Sequence, residues 1–145
     1  MELKQVEGGI HIDERGAVSF VNDFQFDQVK RFYTVRNHRS PFIRAWHGHK
    51  KEGKYVTVVN GSAIIGAIKI DNWDNPSANK DISKFVLSST KPSILSIPPS
   101  YANGMMTLEK DTIIMVFSTS SLEESLNDDI RFDARQWDIW KIEEK

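Results

Sequence analysis

Short runs of β-branched and aromatic residues, broken at close intervals by turn residues, fill this chain from end to end. The runs read AVSFVND, KRFYTVRN, FIRAWHGH, KYVTVVNG, SAIIGAIKID, KFVLSST, SILSIP and DTIIMVFST; the breaks read ERG, RSP, NG, NPSAN, KPS and PPS. Such side chains suit a pleated, half-buried surface, and Gly, Pro, Asn and Ser end it. No segment carries a long, capped helical period. The spacing therefore predicts an antiparallel all-β sandwich or barrel. One exception is SLEESLNDD, Ser121 to Asp129, where Ser121 and Glu124 resemble a capping box and predict a short helical turn.

At 145 residues the chain can bury one ordinary core, and no repeat or low-complexity linker divides it. Residues 1–145 are read as a single domain. A net charge of −1 with no long basic run gives little electrostatic support for nucleic-acid binding. The absence of cysteine excludes disulfides, thiolate nucleophiles and cysteine-ligated zinc. The opening MELKQVEGG lacks the apolar stretch of a signal peptide, and no run approaches the ~20 apolar residues that span a bilayer. The expectation is a cytoplasmic protein with neither membrane nor nucleic acid as a partner.

Asn60-Gly61 supplies the positive φ values of a type I′ turn, predicting a hairpin between Tyr55–Val59 and Ala63–Ile70. Gly66 shares a face with Ile64, Ile68 and Ile70. It marks either a close approach by a ligand or strand, or a simple bulge.

The stretch RAWHGHKKEGKYVTVVNG sets His47 and His49 two residues apart, so a strand would point both to one face. Facing inward they could bind a metal together; at a strand end they would merely hydrogen-bond. The pattern resembles the cupin superfamily, whose metal-binding members read H-x-H-x4-E-x6-G and later P-x-G-x2-H. His47, His49, Gly61 and Pro98 fit. Lys54 stands at the glutamate position, Ser100 at the glycine and Asn103 at the last histidine. An ammonium repels a divalent ion, whereas ligands must be neutral imidazoles or anions. No metal and no other cofactor is expected.

A sharper resemblance is to metal-independent cupins acting on nucleotide sugars: the dTDP-4-dehydrorhamnose 3,5-epimerases and the WxcM-like dTDP-4-keto-6-deoxyhexose 3,4-ketoisomerases. IHIDERG is similar to the epimerase N-terminal strand, RAWH to its R-G-L-H, and KYVTVVNGS to its K-Y-V-x-V-x-x-G-S. IPPSYANGM and RFDARQWDIW match its later segments. RAWHGHKK is closer still to the ketoisomerase R-G-x-H-A-H-K, and RFYTV to its R-V-Y-Y. The resemblance implies a double-stranded β-helix (jelly roll). It further implies a homodimer with exchanged N-terminal strands and a nucleotide-diphosphate sugar as substrate.

The chemistry explains the residue types. Removing a proton α to a ketone makes an enolate, and histidine is a general base suited to neutral pH. His47 is the expected base, oriented by Asp133. Lys54 and Arg44 are expected to stabilise the developing oxyanion. His49 is expected to relay protons and Tyr33 to donate to or orient the sugar. Arg15 and Arg31 are assigned to substrate binding, together with Tyr101 and Asn103. Arg44 and His47 are three apart, so sharing a pocket requires a bulge or a strand end.

Two departures bear on the activity. The epimerase's late-strand tyrosine, its general acid, aligns with Met115, and the nearest aromatic is Phe117; neither donates a proton. The upstream glutamine becomes Phe32. The expected function is isomerisation or epimerisation of a 4-keto-6-deoxy sugar nucleotide for surface polysaccharide. The alternatives are a sugar-nucleotide binder without catalysis and a metal-dependent cupin dioxygenase.

Overall fold

The computed structural model describes residues 1–78 and 81–145. Its strands are β1 (Lys4–Glu7), β2 (Gly9–Asp13), β3 (Gly16–Phe20), β4 (Arg31–Val35), β5 (Phe42–His49) and β6 (Lys54–Asn60). They continue with β7 (Ser62–Lys69), β8 (Ser83–Ser88), β9 (Ser93–Ile97), β10 (Tyr101–Thr107), β11 (Ile113–Ser118) and β12 (Ile130–Arg131). A short helix, α1 (Leu122–Leu126), precedes β12. Its capping box is the expected one, Ser121 accepting from Glu124 N while the Glu124 side chain accepts from Ser121 N.

Two five-stranded sheets form, in the orders β1-β9-β6-β11-β4 and β12-β5-β10-β7-β8, and β2 and β3 make a separate hairpin. From β4 to β7 and from β9 to β12 the chain alternates between the two sheets, which is the jelly-roll arrangement. Val56, Val58, Ala63, Ile65, Leu95, Ile114 and Val116 from both sheets fill the space between them. A second apolar layer lies outside the β5-β10-β7 face. There Trp46, Ile64, Ile68 and Met106 meet Trp137 and Trp140 from the closing segment. Trp46 is fully buried, its ring 5.5 Å from Trp137 and 5.3 Å from Trp140.

The Asn60-Gly61 turn corrects one expectation. β6 pairs with β9 and β11, whereas β7 pairs with β8 and β10, so the two do not form a hairpin. Gly61 has φ 78° but Asn60 lacks the second positive φ of a type I′ turn. The corner hands the chain from one sheet to the other. A Cβ on Gly61 would lie 2.3 Å from Thr112 Oγ1, and the Asn60 amide donates to Asp111 O at 2.7 Å. Gly66 has an equally definite reason: a Cβ there would lie 2.6 Å from both Trp46 and Ile139, so the space belongs to an indole. Asn79, the last residue of the NPSAN turn signal, lies outside the described residues.

The β2–β3 hairpin is exposed along both strands. Ile12 is 73% and Val18 62% exposed.

Candidate active site

Strand register decides which side chains share the inner face. β10 pairs with β5 so that Asn103 opposes His47 and Tyr101 opposes His49. Tyr101 and Met105 pack with the inner core, which places the two histidines on that same side. Between Asn103 and Met105 the register shifts, and Gly104 opposes both Ala45 and Trp46. This is the bulge that the three-residue spacing requires, and it returns Arg44, opposite Met105, to the inner face. Arg44 is exposed, however, and its Nε donates to Asn37 Oδ1 at 2.7 Å rather than to the histidine cluster.

His47 is half-buried, and β12 sets Arg131 directly beside it in register. Burial first, then the positive charges of Lys54 and Arg131, push its pKa down to about 4, with Asp129 opposing them. Its ring is neutral at pH 7 and keeps a lone pair.

His49 is more deeply placed, its side chain 8% exposed. Its Nδ1 lies 2.6 Å from Asp128 O and 3.2 Å from Glu52 Oε2. Burial and Lys54 hold its pKa below the usual value, while Glu52 and Asp128 pull upward. Glu52 accepts hydrogen bonds from Ser118 Oγ and, at 2.7 Å, from Ser125 Oγ. Burial would raise its pKa, but Lys54 and the two hydroxyls outweigh that and keep it ionised. Lys54 is itself buried at 6% exposure and acts electrostatically on His47, His49 and Glu52.

Arg31 closes this end of the barrel. Its Nη2 donates to Ser125 Oγ at 2.8 Å and lies 3.5 Å from Glu52 Oε1, and its guanidinium sits 5.0 Å above the Tyr33 ring. Tyr33 packs on the inner core. Asn103 is buried, and its amide donates to His47 O at 3.3 Å. His47, His49, Lys54, Arg31, Tyr33, Tyr101 and Asn103 therefore belong to one inner face.

Arg44 bonds away from this cluster, and two further expected residues stand apart from the inner face altogether. Asp133 is exposed, and its carboxylate accepts from Arg135 N at 2.8 Å. The chain pairs Phe132 with Trp46, so Asp133 is carried past His47, and Asp129 is the carboxylate acting on His47. Arg15 sits at the tip of the β2–β3 hairpin, 81% exposed, with Nη2 2.6 Å from Asp13. On β11, Ile114, Val116 and Ser118 are buried while Met115 and Phe117 alternate with them toward the outside. The inward residue opposite Tyr33 is Val116, which carries no proton either.

Glu52, Asp128, Asp129 and Arg131 were not evident as site residues. Glu52 lies in HKKEGK, which reads as solvated charge, and only the fold brings Ser118 and Ser125 to it. Among the described residues, no three His, Asp or Glu side chains gather as a metal-holding group. Nor is any helix there long and apolar enough to cross a membrane.

The two facing sheets form a cupin-type jelly roll with imidazoles and a buried ammonium on its inner side. The chain belongs to the dTDP-4-dehydrorhamnose 3,5-epimerase family, whose model matches residues 2–144. No curated protein matches its sequence. Among solved structures, a dTDP-4-dehydrorhamnose 3,5-epimerase from Sulfolobus tokodaii is similar with a TM-score of 0.76 at 21% identity, over 97% of this chain and 86% of that one. The 3,4-ketoisomerase QdtA from Thermoanaerobacterium thermosaccharolyticum, a double mutant in complex with TDP, gives 0.69 at 22% identity over 93% and 91%. An epimerase from Legionella pneumophila in complex with dTDP-4-keto-L-rhamnose gives 0.67 at 23% identity over 82% and 67%.

Proposed function

We propose that this chain isomerises a nucleotide-diphosphate 4-keto-6-deoxy sugar in the cytoplasm, for surface-polysaccharide synthesis, by histidine-mediated proton transfer next to the ketone. The observation that carries this reading is the placement of His47 and His49 side by side with Lys54 on one inner face. His47 takes the carbon-bound proton. Lys54 offsets the negative charge that develops on the ketone oxygen in a site sheltered from water. Neutral His47 holds the proton only briefly and returns it.

Among the outcomes open to the family, movement of the ketone between neighbouring carbons fits best. Inversion of a carbon needs a proton from the opposite face, and β11, where Val116 lies beside Tyr33, supplies none. Two adjacent imidazoles instead serve a transfer that stays on one face. The same Val116 favours a second reading, a sugar-nucleotide binder that performs no chemistry.

The reading includes a homodimer. A two-stranded hairpin exposed on both faces is marginal alone, and Ile12, Val18 and Phe20 give it apolar surface for a second copy. Arg15 at its tip would then serve the partner's substrate diphosphate rather than its own. Product NMR with a panel of dTDP- and UDP-4-keto-6-deoxy sugars tests the function. A ketone moved to C3 is expected, inversion at C3 or C5 indicates epimerisation, and unchanged sugars with measurable binding favour the binder.

A further inference from the structure

Glu52 lies in the loop joining β5 to β6, in a run of charges that ought to face water, yet its side chain is 1% exposed. Its two oxygens have different partners. Oε1 accepts from Ser118 Oγ and Ser125 Oγ and lies 3.5 Å from Arg31 Nη2, whereas Oε2 lies 3.2 Å from His49 Nδ1. The loop is held by Asp128, whose carboxylate accepts the main-chain N–H groups of Lys50, Lys51 and Glu52 at 2.8, 2.9 and 3.0 Å. The carbonyl of that same Asp128 faces His49 Nδ1 at 2.6 Å.

A carbonyl and a carboxylate are both acceptors, so Nδ1 must carry the hydrogen. In the neutral ring the lone pair is then on Nε2. That atom is buried and has no hydrogen-bond partner among the described residues. Buried acceptors are rarely left unmatched, and an orphan of this kind points to a group that arrives later.

We propose that Glu52 is the positioning carboxylate of a second proton-transfer unit, holding the hydrogen on His49 Nδ1 so that Nε2 exchanges a proton with the bound sugar. The inference rests on the isomerase reading above. In it, the O–H bond of the hydroxyl beside the ketone breaks, its electron pair stays on oxygen, and the proton joins Nε2. The resulting imidazolium is balanced by the Glu52 carboxylate. The proton then passes from Nε2 to the former ketone oxygen, while His47 carries the carbon-bound hydrogen between the two carbons. Every proton taken up is returned, and no oxidant or reductant is needed. His49 is the catalytic group and Glu52 acts through it.

The test uses Glu52→Gln in the full chain, which keeps the size of the side chain and an acceptor for both serines but removes the charge. With dTDP-4-keto-6-deoxyglucose, kcat is expected to fall about 100-fold, the scale of a general acid–base contribution, with KM within about twofold. The His49 ring, followed by 15N NMR, is expected to titrate at lower pH in E52Q than in the wild type. Glu52 favours the imidazolium there, while Lys54 and His47 oppose it and the Asp128 contacts remain. Glu52→Asp, which keeps the charge, is expected to recover at least about tenfold of the lost kcat. Wild-type kcat in E52Q, a loss confined to KM, or an unmoved His49 titration would overturn the proposal. Where E52Q does not fold, E52D carries the test: reduced kcat with an altered His49 titration supports it, and wild-type values for both overturn it. Wild-type protein that converts no sugar defeats the isomerase reading instead, and the His49 titration then decides the Glu52 assignment by itself.

Discussion

His49 Nδ1 and the main-chain oxygen of Asp128 are 2.6 Å apart, and this contact fixes which nitrogen of a site histidine is free. A main-chain carbonyl cannot reverse its role, so the tautomer is set by the fold itself. Asp128 stands just before β12, whose Arg131 lies beside His47. One segment thus disciplines both imidazoles.

Lys54 links them electrostatically. It lowers the pKa of both histidines and helps keep Glu52 ionised. Lys54→Met is expected to move the His47 titration from about 4 back toward its ordinary 6.5, read by 15N NMR, and to cut kcat by about 100-fold through loss of oxyanion stabilisation. A His47 titration that stays in place would show that the ammonium is not near it in solution.

Stability should weaken in acid because burial, and after it Lys54 and Arg131, disfavour the charged form of His47. The folded pKa of His47 is depressed from 6.5 to about 4, so between those values the unfolded chain binds more protons than the folded one. The contribution is present above pH 6.5 and is lost as pH falls toward 4. Its size is on the order of 1–2 kcal/mol once screening at the half-open ring is allowed for. Urea titrations at pH 7 and pH 4.5 read it, and His47→Gln should flatten this part of the difference.

Gly66→Ala tests the outer apolar layer. The added methyl would lie 2.6 Å from Trp46 and Ile139, and Trp46 has nowhere to retreat at 0% exposure. Overpacking of this kind costs about 1–3 kcal/mol, measurable as a lower urea midpoint. An unchanged midpoint would mean that the Trp46–Trp137–Trp140 layer is loose enough to yield to a methyl group.

Much of this architecture was legible in the chain. β5 runs over Phe42–His49, the full FIRAWHGH segment, because its β-branched and aromatic residues end at a charged loop. Ser121 and Glu124 announced their helix by local capping chemistry. Asn60-Gly61 announced a turn but not its partners, since turn residues say that a chain bends and not which sheet receives it. β10 escaped notice because YANGMMT is rich in small and flexible residues, although its register aligns both histidines. Glu52 escaped for the opposite reason, its burial depending on serines that lie 66 and 73 residues away in sequence. Asp133 looked suitable by motif, but a pairing of Phe132 with Trp46 carries it past His47.

The hairpin gives a prediction about assembly. Ile12→Lys combined with Val18→Lys places charge on both exposed apolar faces. Sedimentation is expected to show a dimer for the wild type and a monomer for the variant. If Arg15 completes the partner's site, KM should rise at least about tenfold with the fold intact, the loss of one charge-assisted contact.

The most direct measurement of the central claim is solvent-deuterium exchange into dTDP-4-keto-6-deoxyglucose after exhaustive chelation, followed by NMR at the carbons beside the ketone. Wild-type protein is expected to exchange deuterium there with no added metal, and His47→Asn is expected to lose that exchange while still binding the sugar nucleotide. A wild-type protein that neither exchanges those hydrogens nor moves the ketone, or that does so only when a divalent metal is restored, would contradict the account.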